Sequence, residues 1–192
     1  GPTLVPWRWA YFNLRNHRKV MVVDGRVGFT GGMNIREACL LRRNPQFPIR
    51  DLHFRIEGPV VGHLAEVFIE DWAFTTGEML SSPQWIQPEH TGSGQVVARG
   101  IADGPDEDFE KAEYTLLGAV ACARTSITVV TPYFLPDYAL TSAMGVAALR
   151  GVKVDIVLPQ VNNLVVVQWA SRAQQWHVLR RGCRVFETPG PF

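Results

Sequence analysis

One histidine, one lysine, one aspartate, two glycines and an asparagine stand at fixed spacing near the start of the chain, as His17-x-Lys19-x4-Asp24-x6-Gly31-Gly32-x-Asn34. Breaking a phosphodiester requires a nucleophile that can leave again, a cation on the non-bridging oxygens, and neutral donors to hold those oxygens. Imidazole, ammonium and carboxamide supply these three functions. A bare H-x-K is usually a surface pair on a strand. Six specified positions in a strand, turn and strand setting make a chance match rare.

The elements that position these groups follow from side-chain alternation. A strand from Arg18 to Val23, a turn at Gly25 and a second strand to Thr30 form a hairpin in which His17 and Lys19 share one face. Asn34 reaches the Lys19 ammonium if the second strand ends where the first begins, and Gly31 and Gly32 let backbone approach a phosphate. Asp24 sits in the D-G turn, where aspartate is favoured for local hydrogen bonds, so its expected role is structural.

Upstream, the segment VPWRWAYFNLRN reads as a strand with Trp7, Trp9 and Tyr11 on one side, for sheet packing or, alternatively, lipid contact. Downstream, residues 34–48 read as a short helical or irregular excursion at a pocket edge, with Arg42 and Arg43 in a solvated basic turn or against phosphate. The run from Asp51 to Glu57 alternates, placing Asp51, His53 and Arg55 on one face and Leu52, Phe54 and Ile56 on the other. Gly58-Pro59 ends that strand, and a helix from Val60 to Phe74 carries an apolar stripe of Val60, Leu64, Val67, Phe68 and Trp72. His63, inside that helix and without a paired ligand, is expected to be structural.

Residues 75–94, rich in Ser, Pro, Gly and Thr, read as a linker that holds Trp85 and His90. Strands then alternate with helices: a strand at 95–101, a helix at 108–124, a strand at 126–131, a helix at 138–150, a strand at 152–158, a helix at 164–181 and a strand at 183–187. Such alternation predicts an α/β domain with a largely parallel sheet. Ligands gather beyond the carboxyl ends of strands in such sheets, which makes Tyr133 and Phe134 candidates for lining a substrate pocket. His177 falls on a helix and is expected to be packed or solvent-facing.

With 46% apolar residues the chain is globular, and a net charge of +1 provides no general basic field for nucleic acid, so anion binding must be local. Cys39, Cys122 and Cys183 lie too far apart for metal-site spacing and are expected to be reduced core thiols. No apolar run reaches the length of a membrane span.

The H-x-K-x4-D-x6-G-G-x-N pattern resembles the signature of the phospholipase D superfamily, and the segments GPDED, TPYFLPD and AALRGVKVDIVLP resemble bacterial cardiolipin synthases in order and spacing. The resemblance implies a phospholipase D-like α/β fold, mixed β-sheets flanked by helices and built from parts of two homologous repeats. It implies a phosphatidyltransferase that makes cardiolipin from two phosphatidylglycerols, with glycerol released. His17 would be the nucleophile forming a phosphohistidine, Lys19 and Asn34 the phosphate cradle, and Asp51 the carboxylate that orients the imidazole. No metal or other cofactor is implied. The implied partners are phosphatidylglycerol and a membrane surface, at the cytoplasmic side of the bacterial inner membrane.

Family members use two motif copies, one histidine attacking phosphorus and the other protonating the leaving alkoxide, whereas this sequence contains one. The expectation is a central slice: residues 1–76 as the C-terminal half of a first repeat, 77–94 as linker and 95–192 as the N-terminal half of a second. By itself such a slice is expected to be nearly inactive, unless a homodimer supplies a second His17. The alternatives are a phosphodiesterase or nuclease of the same superfamily, and a non-catalytic module that binds lipid or protein. The sequence departs from the family pattern in two ways: Gly32 stands where many members have serine, and Gln160 and Asn162-Asn163 replace an acidic residue expected after the strand at 152–158.

Overall fold

A computed structural model describes residues 17–46, 48–80, 85, 94–103, 110–162 and 164–189. The expected strand carrying Trp7, Trp9 and Tyr11 lies outside the described residues, as does His90. By contacts the chain divides into two compact units, Gly1–Ile35 with Asp51–Phe109 and Arg36–Arg50 with Glu110–Phe192.

The first unit is a three-stranded antiparallel sheet, β1 (Val20–Val23), β2 (Val27–Gly31) and β3 (His53–Glu57), in that order, with helix α1 (Val60–Thr76) against it. Asp24 (φ 53°) and Gly25 (φ 63°) take the paired positive φ values of a type I′ turn, and the Arg26 amide closes it on the Val23 carbonyl at 3.0 Å. Asp24 thus occupies the first central position of the turn. Pairing of Val22 with Gly28 and Gly28 with Ile56 fixes the register, and a Cβ on Gly28 would lie 2.6 Å from Leu64 Cδ1. Val22, Gly28 and Ile56 thus face α1. The helix buries Val61, Leu64 and Ala65, one position round from the stripe read from the sequence, because the short sheet is met by its first turns while Phe68 and Trp72 stay partly exposed. Phe68 stacks on Trp72 and on Trp85. His63 has the expected structural role, its Nδ1 accepting the Gly100 amide at 3.0 Å.

The expected strand at 95–101 does not form: residues 94–103 carry no strand, and Val96 and Val97 are exposed. An apolar run makes a strand only where a neighbouring edge satisfies its amides.

The second unit is an α/β layer. Two short 3-10 turns, Glu37–Cys39 and Leu41–Arg43, realise the irregular excursion. Helix α2 (Lys111–Cys122) leads to β4 (Ser126–Val130), α3 (Tyr138–Leu149), β5 (Lys153–Pro159), α4 (Val165–Leu179) and β6 (Arg184–Thr188), and the three strands pair in parallel in that order. Val154, Ile156 and Leu158 alternate inward along β5 and pack with Met144 and Ala147 of α3 and Val178 of α4. Asp137 caps α3 by accepting the Leu140 amide at 2.7 Å, and the Arg150 guanidinium donates to the Val120, Ala121 and Ala123 carbonyls at the end of α2.

Of the three cysteines only Cys183 is in a core, where burial pushes its thiol up despite the opposing charge of Arg181. Cys39 is half-buried and Cys122 exposed, which corrects the expectation of three core thiols. Cys122 ends α2 on its open side, and apolar character alone did not determine its burial.

Candidate active site

The antiparallel order β1-β2-β3 places the start of β1, the end of β2 and the start of β3 at one end of the sheet. His17 and Lys19 precede β1, Gly31, Gly32 and Asn34 end or follow β2, and Asp51 precedes β3. Five of the six motif positions are brought together there with Asp51, and Asp24 lies at the opposite end in the turn. With Val20 paired to Thr30, β2 does end beside the start of β1, which is the condition set for Asn34 to approach Lys19.

The face of Lys19 is fixed by its neighbour. Arg18 Nη1 donates to Asp71 Oδ1 of α1 at 2.9 Å, and Arg18 Nη2 donates to the Asp103 carbonyl at 2.8 Å. Arg18 is thereby held on the α1 side, and alternation sends Lys19 to the open face. Lys19 Nζ donates to the His17 carbonyl at 2.5 Å, which folds the ammonium back over the histidine backbone. His17 and Asn34 are exposed.

Asp51 lies against Gly32, where a Cβ would come 2.4 Å from Asp51 Oδ1 and 2.5 Å from Oδ2. Oδ1 accepts the Leu52 amide at 2.7 Å, and no hydrogen bond joins Asp51 to His17 among the described residues. At Gly31, with φ 155°, a Cβ would lie 2.3 Å from the Leu52 carbonyl oxygen and 2.7 Å from His53 Cα. Both glycines therefore make room for β3, a reason distinct from close approach of backbone to phosphate.

His53 is the residue that sequence reasoning passed over. It pairs with Gly31 across the strands, on the face opposite α1, and its Nδ1 is the one buried side-chain polar atom without a partner among the described residues. An unpartnered buried nitrogen costs on the order of 1–3 kcal/mol and is uncommon enough to mark a place where packing has yielded to something else. Its alternation with Arg55 was visible in the sequence, but its desolvation against Gly31 was not.

The other candidates lie in the second unit. Phe134 belongs to the core, whereas Tyr133 is partly exposed; both line an apolar cavity of about 570 Å³ between α2, β4 and the start of α3. The loop that carries them is tied to the one after β5 by Asn162, whose Nδ2 donates to the Pro132 carbonyl at 2.5 Å and whose Oδ1 accepts the Leu164 amide at 2.8 Å. Asn162, noted in the sequence for replacing an acid, is thus a buried clamp. Arg42 and Arg43 are exposed in the second 3-10 turn and His177 is exposed on α4. Among the described residues no cluster of His, Cys, Asp and Glu could hold a metal ion, and no helix is long and apolar enough to cross a membrane.

Residues 116–191 match the family model described as "Cardiolipin synthase, PLD-like domain", a span that lies within the second unit. Across both units the chain is similar to the cardiolipin synthase of Geobacillus kaustophilus, 37% identical over 189 residues, covering 97% of this chain and 38% of that protein. It is 38% identical over 181 residues to cardiolipin synthase 2 of Bacillus cereus, covering 91% of this chain and 34% of the relative. Against cardiolipin synthase A of Pseudomonas fluorescens it is 38% identical over 179 residues, 93% of this chain and 37% of the other. The chain thus spans less than two fifths of the length of these curated relatives.

Proposed function

We propose, from the premise that this chain is a cardiolipin synthase-like member of the phospholipase D superfamily, that the strand ends around His17 form one half of a phosphatidyltransferase site. The observation that carries the proposal is the convergence of His17, Lys19, Asn34 and Asp51 at one end of a single sheet.

In this reading an imidazole nitrogen of His17 attacks the phosphorus of one phosphatidylglycerol. A P–N bond forms, the P–O bond to the headgroup glycerol breaks, and the departing alkoxide takes a proton as glycerol. A hydroxyl of a second phosphatidylglycerol then attacks the phosphohistidine, loses its proton to the same acid–base group and restores His17, leaving cardiolipin. Lys19 and Asn34 hold the non-bridging oxygens as charge builds on them. Asp51, with Oδ1 engaged by the Leu52 amide, has Oδ2 left to orient the imidazole once substrate draws His17 in. The proton donor is a second H-x-K histidine, contributed by a longer polypeptide or by a second copy of this chain, since the sequence has one such motif. Catalysis takes place at the cytoplasmic face of the inner membrane, where the phosphatidylglycerol headgroup is reached.

The test uses a polypeptide of the relatives' length that contains this chain, assayed on phosphatidylglycerol vesicles. Cardiolipin and glycerol should appear one to one, and His17→Ala should lower the rate by roughly 10³-fold or more. Phosphatidic acid as the main product would make the enzyme a hydrolase, and full activity in His17→Ala would remove His17 from the mechanism.

A further inference from the structure

We propose that the exposed face of α4 docks on an anionic lipid bilayer. The helix packs on the second unit through Ser171 and Val178, which are buried, and turns the opposite face outward. On that face Trp169 is 66% exposed, Trp176 64%, Val165 55% and Val166 73%.

At 3.6 residues per turn, Val165, Trp169 and Trp176 fall within roughly 40° of arc, so they form one continuous apolar ridge along the helix. Arg172 and Arg180 flank the ridge about 20° beyond either edge. Both are exposed, and neither guanidinium forms an ion pair among the described residues.

Charge identifies the occupant. From Gln160 to Phe186 the sequence contains four arginines and no aspartate or glutamate; Arg184 is paired with Asp155 of β5 and Glu187 lines a cleft with Arg172, so the charge the face itself offers is that of Arg172 and Arg180. A protein partner that buried this face would have to supply carboxylates for Arg172 and Arg180 and desolvate them, which returns little net energy. At a bilayer the long arginine stems let the guanidinium groups stay with the phosphates while the ridge enters the acyl boundary. Tryptophan suits the same depth, because its ring is apolar and its indole N–H still finds a partner. The helix belongs to the second unit and the strand ends around His17 to the first, and lipid docking by α4 does not depend on the chemistry proposed there.

The test is flotation of the 192-residue chain with vesicles of phosphatidylcholine, with and without one third phosphatidylglycerol. The chain should float with the anionic vesicles and far less with the neutral ones, and added salt should weaken the difference. Trp169→Ser with Trp176→Ser should lower the partition at least tenfold. Arg172→Gln and Arg180→Gln should each lower it roughly fivefold on anionic vesicles alone. All four residues are exposed, so the variants should melt with the parent in circular dichroism. The proposal is overturned if the parent does not float, if the variants float like the parent, or if the tryptophan pair shifts a monomer–dimer equilibrium in ultracentrifugation while leaving flotation unchanged.

Discussion

The two sheets of this protein differ in nearly every respect that matters for function. The antiparallel sheet β1-β2-β3 buries few side chains, leaves Met21 and Phe54 exposed, carries an orphaned imidazole nitrogen, and holds the whole H-x-K motif. The parallel sheet β4-β5-β6 is the better-packed structure, with a ten-residue core and Asn162 and Arg150 binding its loops and helix ends by hydrogen bonds. Robust packing and reactive groups are thus allotted to different units. The strand ends around His17 are positioned by glycines, a clamp to α1 and a tight turn instead of by a large core, which leaves them open as the proposed phosphodiester site requires.

The contrast can be broken first on its stable side. Ile156 is fully buried at the centre of β5, and Ile156→Ala should cost the second unit about 4 kcal/mol, read from urea unfolding of the chain. A loss under about 1 kcal/mol would mean that the parallel core tolerates a cavity and is no more tightly packed than its neighbour.

The next largest effect separates the two motif glycines. At Gly31 a methyl group meets the Leu52 carbonyl and the His53 backbone, neither of which can swing aside, and Gly31→Ala should destabilise the first unit by roughly 2 kcal/mol or more. At Gly32 the obstacle is the Asp51 carboxylate, which can rotate away, so Gly32→Ala should cost about 1 kcal/mol or less while displacing Asp51 and lowering turnover. Equal unfolding midpoints for the two variants would refute this distinction.

The smallest effect is a dependence on pH in the parallel sheet. Burial works to raise the Asp155 carboxyl, but hydrogen bonds and charge from Arg184, with Lys153 adding to them, outweigh it and hold the group below the usual carboxylate range. A depressed folded-state pKa adds stability that is fully present above the unfolded value near 3.9 and is lost as pH falls through the folded one. The urea midpoint of the second unit should therefore fall with acid below about pH 4, and Arg184→Gln should flatten that part of the fall. An unchanged acid profile in the variant would show that Asp155 is not its source.

Much of this was legible in the sequence, because it rests on local rules. Asp24-Gly25 dictated the turn, side-chain alternation gave the hairpin, and strand–helix alternation gave β5 and the parallel sheet. What was not legible depends on distant partners. Arg18 meets Asp71 of α1, His53 is desolvated by Gly31 of another strand, and Asn162 reaches back to Pro132. The segment 95–101 had the composition of a strand, yet Val96 and Val97 found no edge to join, and periodicity alone could not reveal that. At the site, the residue types and their spacing were readable, whereas the clamp that decides which face Lys19 occupies was not.

The central claim is that the strand ends around His17 are a nucleophilic half-site awaiting a proton donor. It is tested most directly with a phosphatidyl ester of p-nitrophenol, whose leaving group departs without general-acid help. Mixed with the 192-residue chain, this substrate should release a burst of up to one p-nitrophenolate per chain, followed by slow turnover. Mass spectrometry at neutral pH should find the phosphatidyl adduct on His17. An adduct on any other residue, or a burst equally large in His17→Ala, would contradict the account.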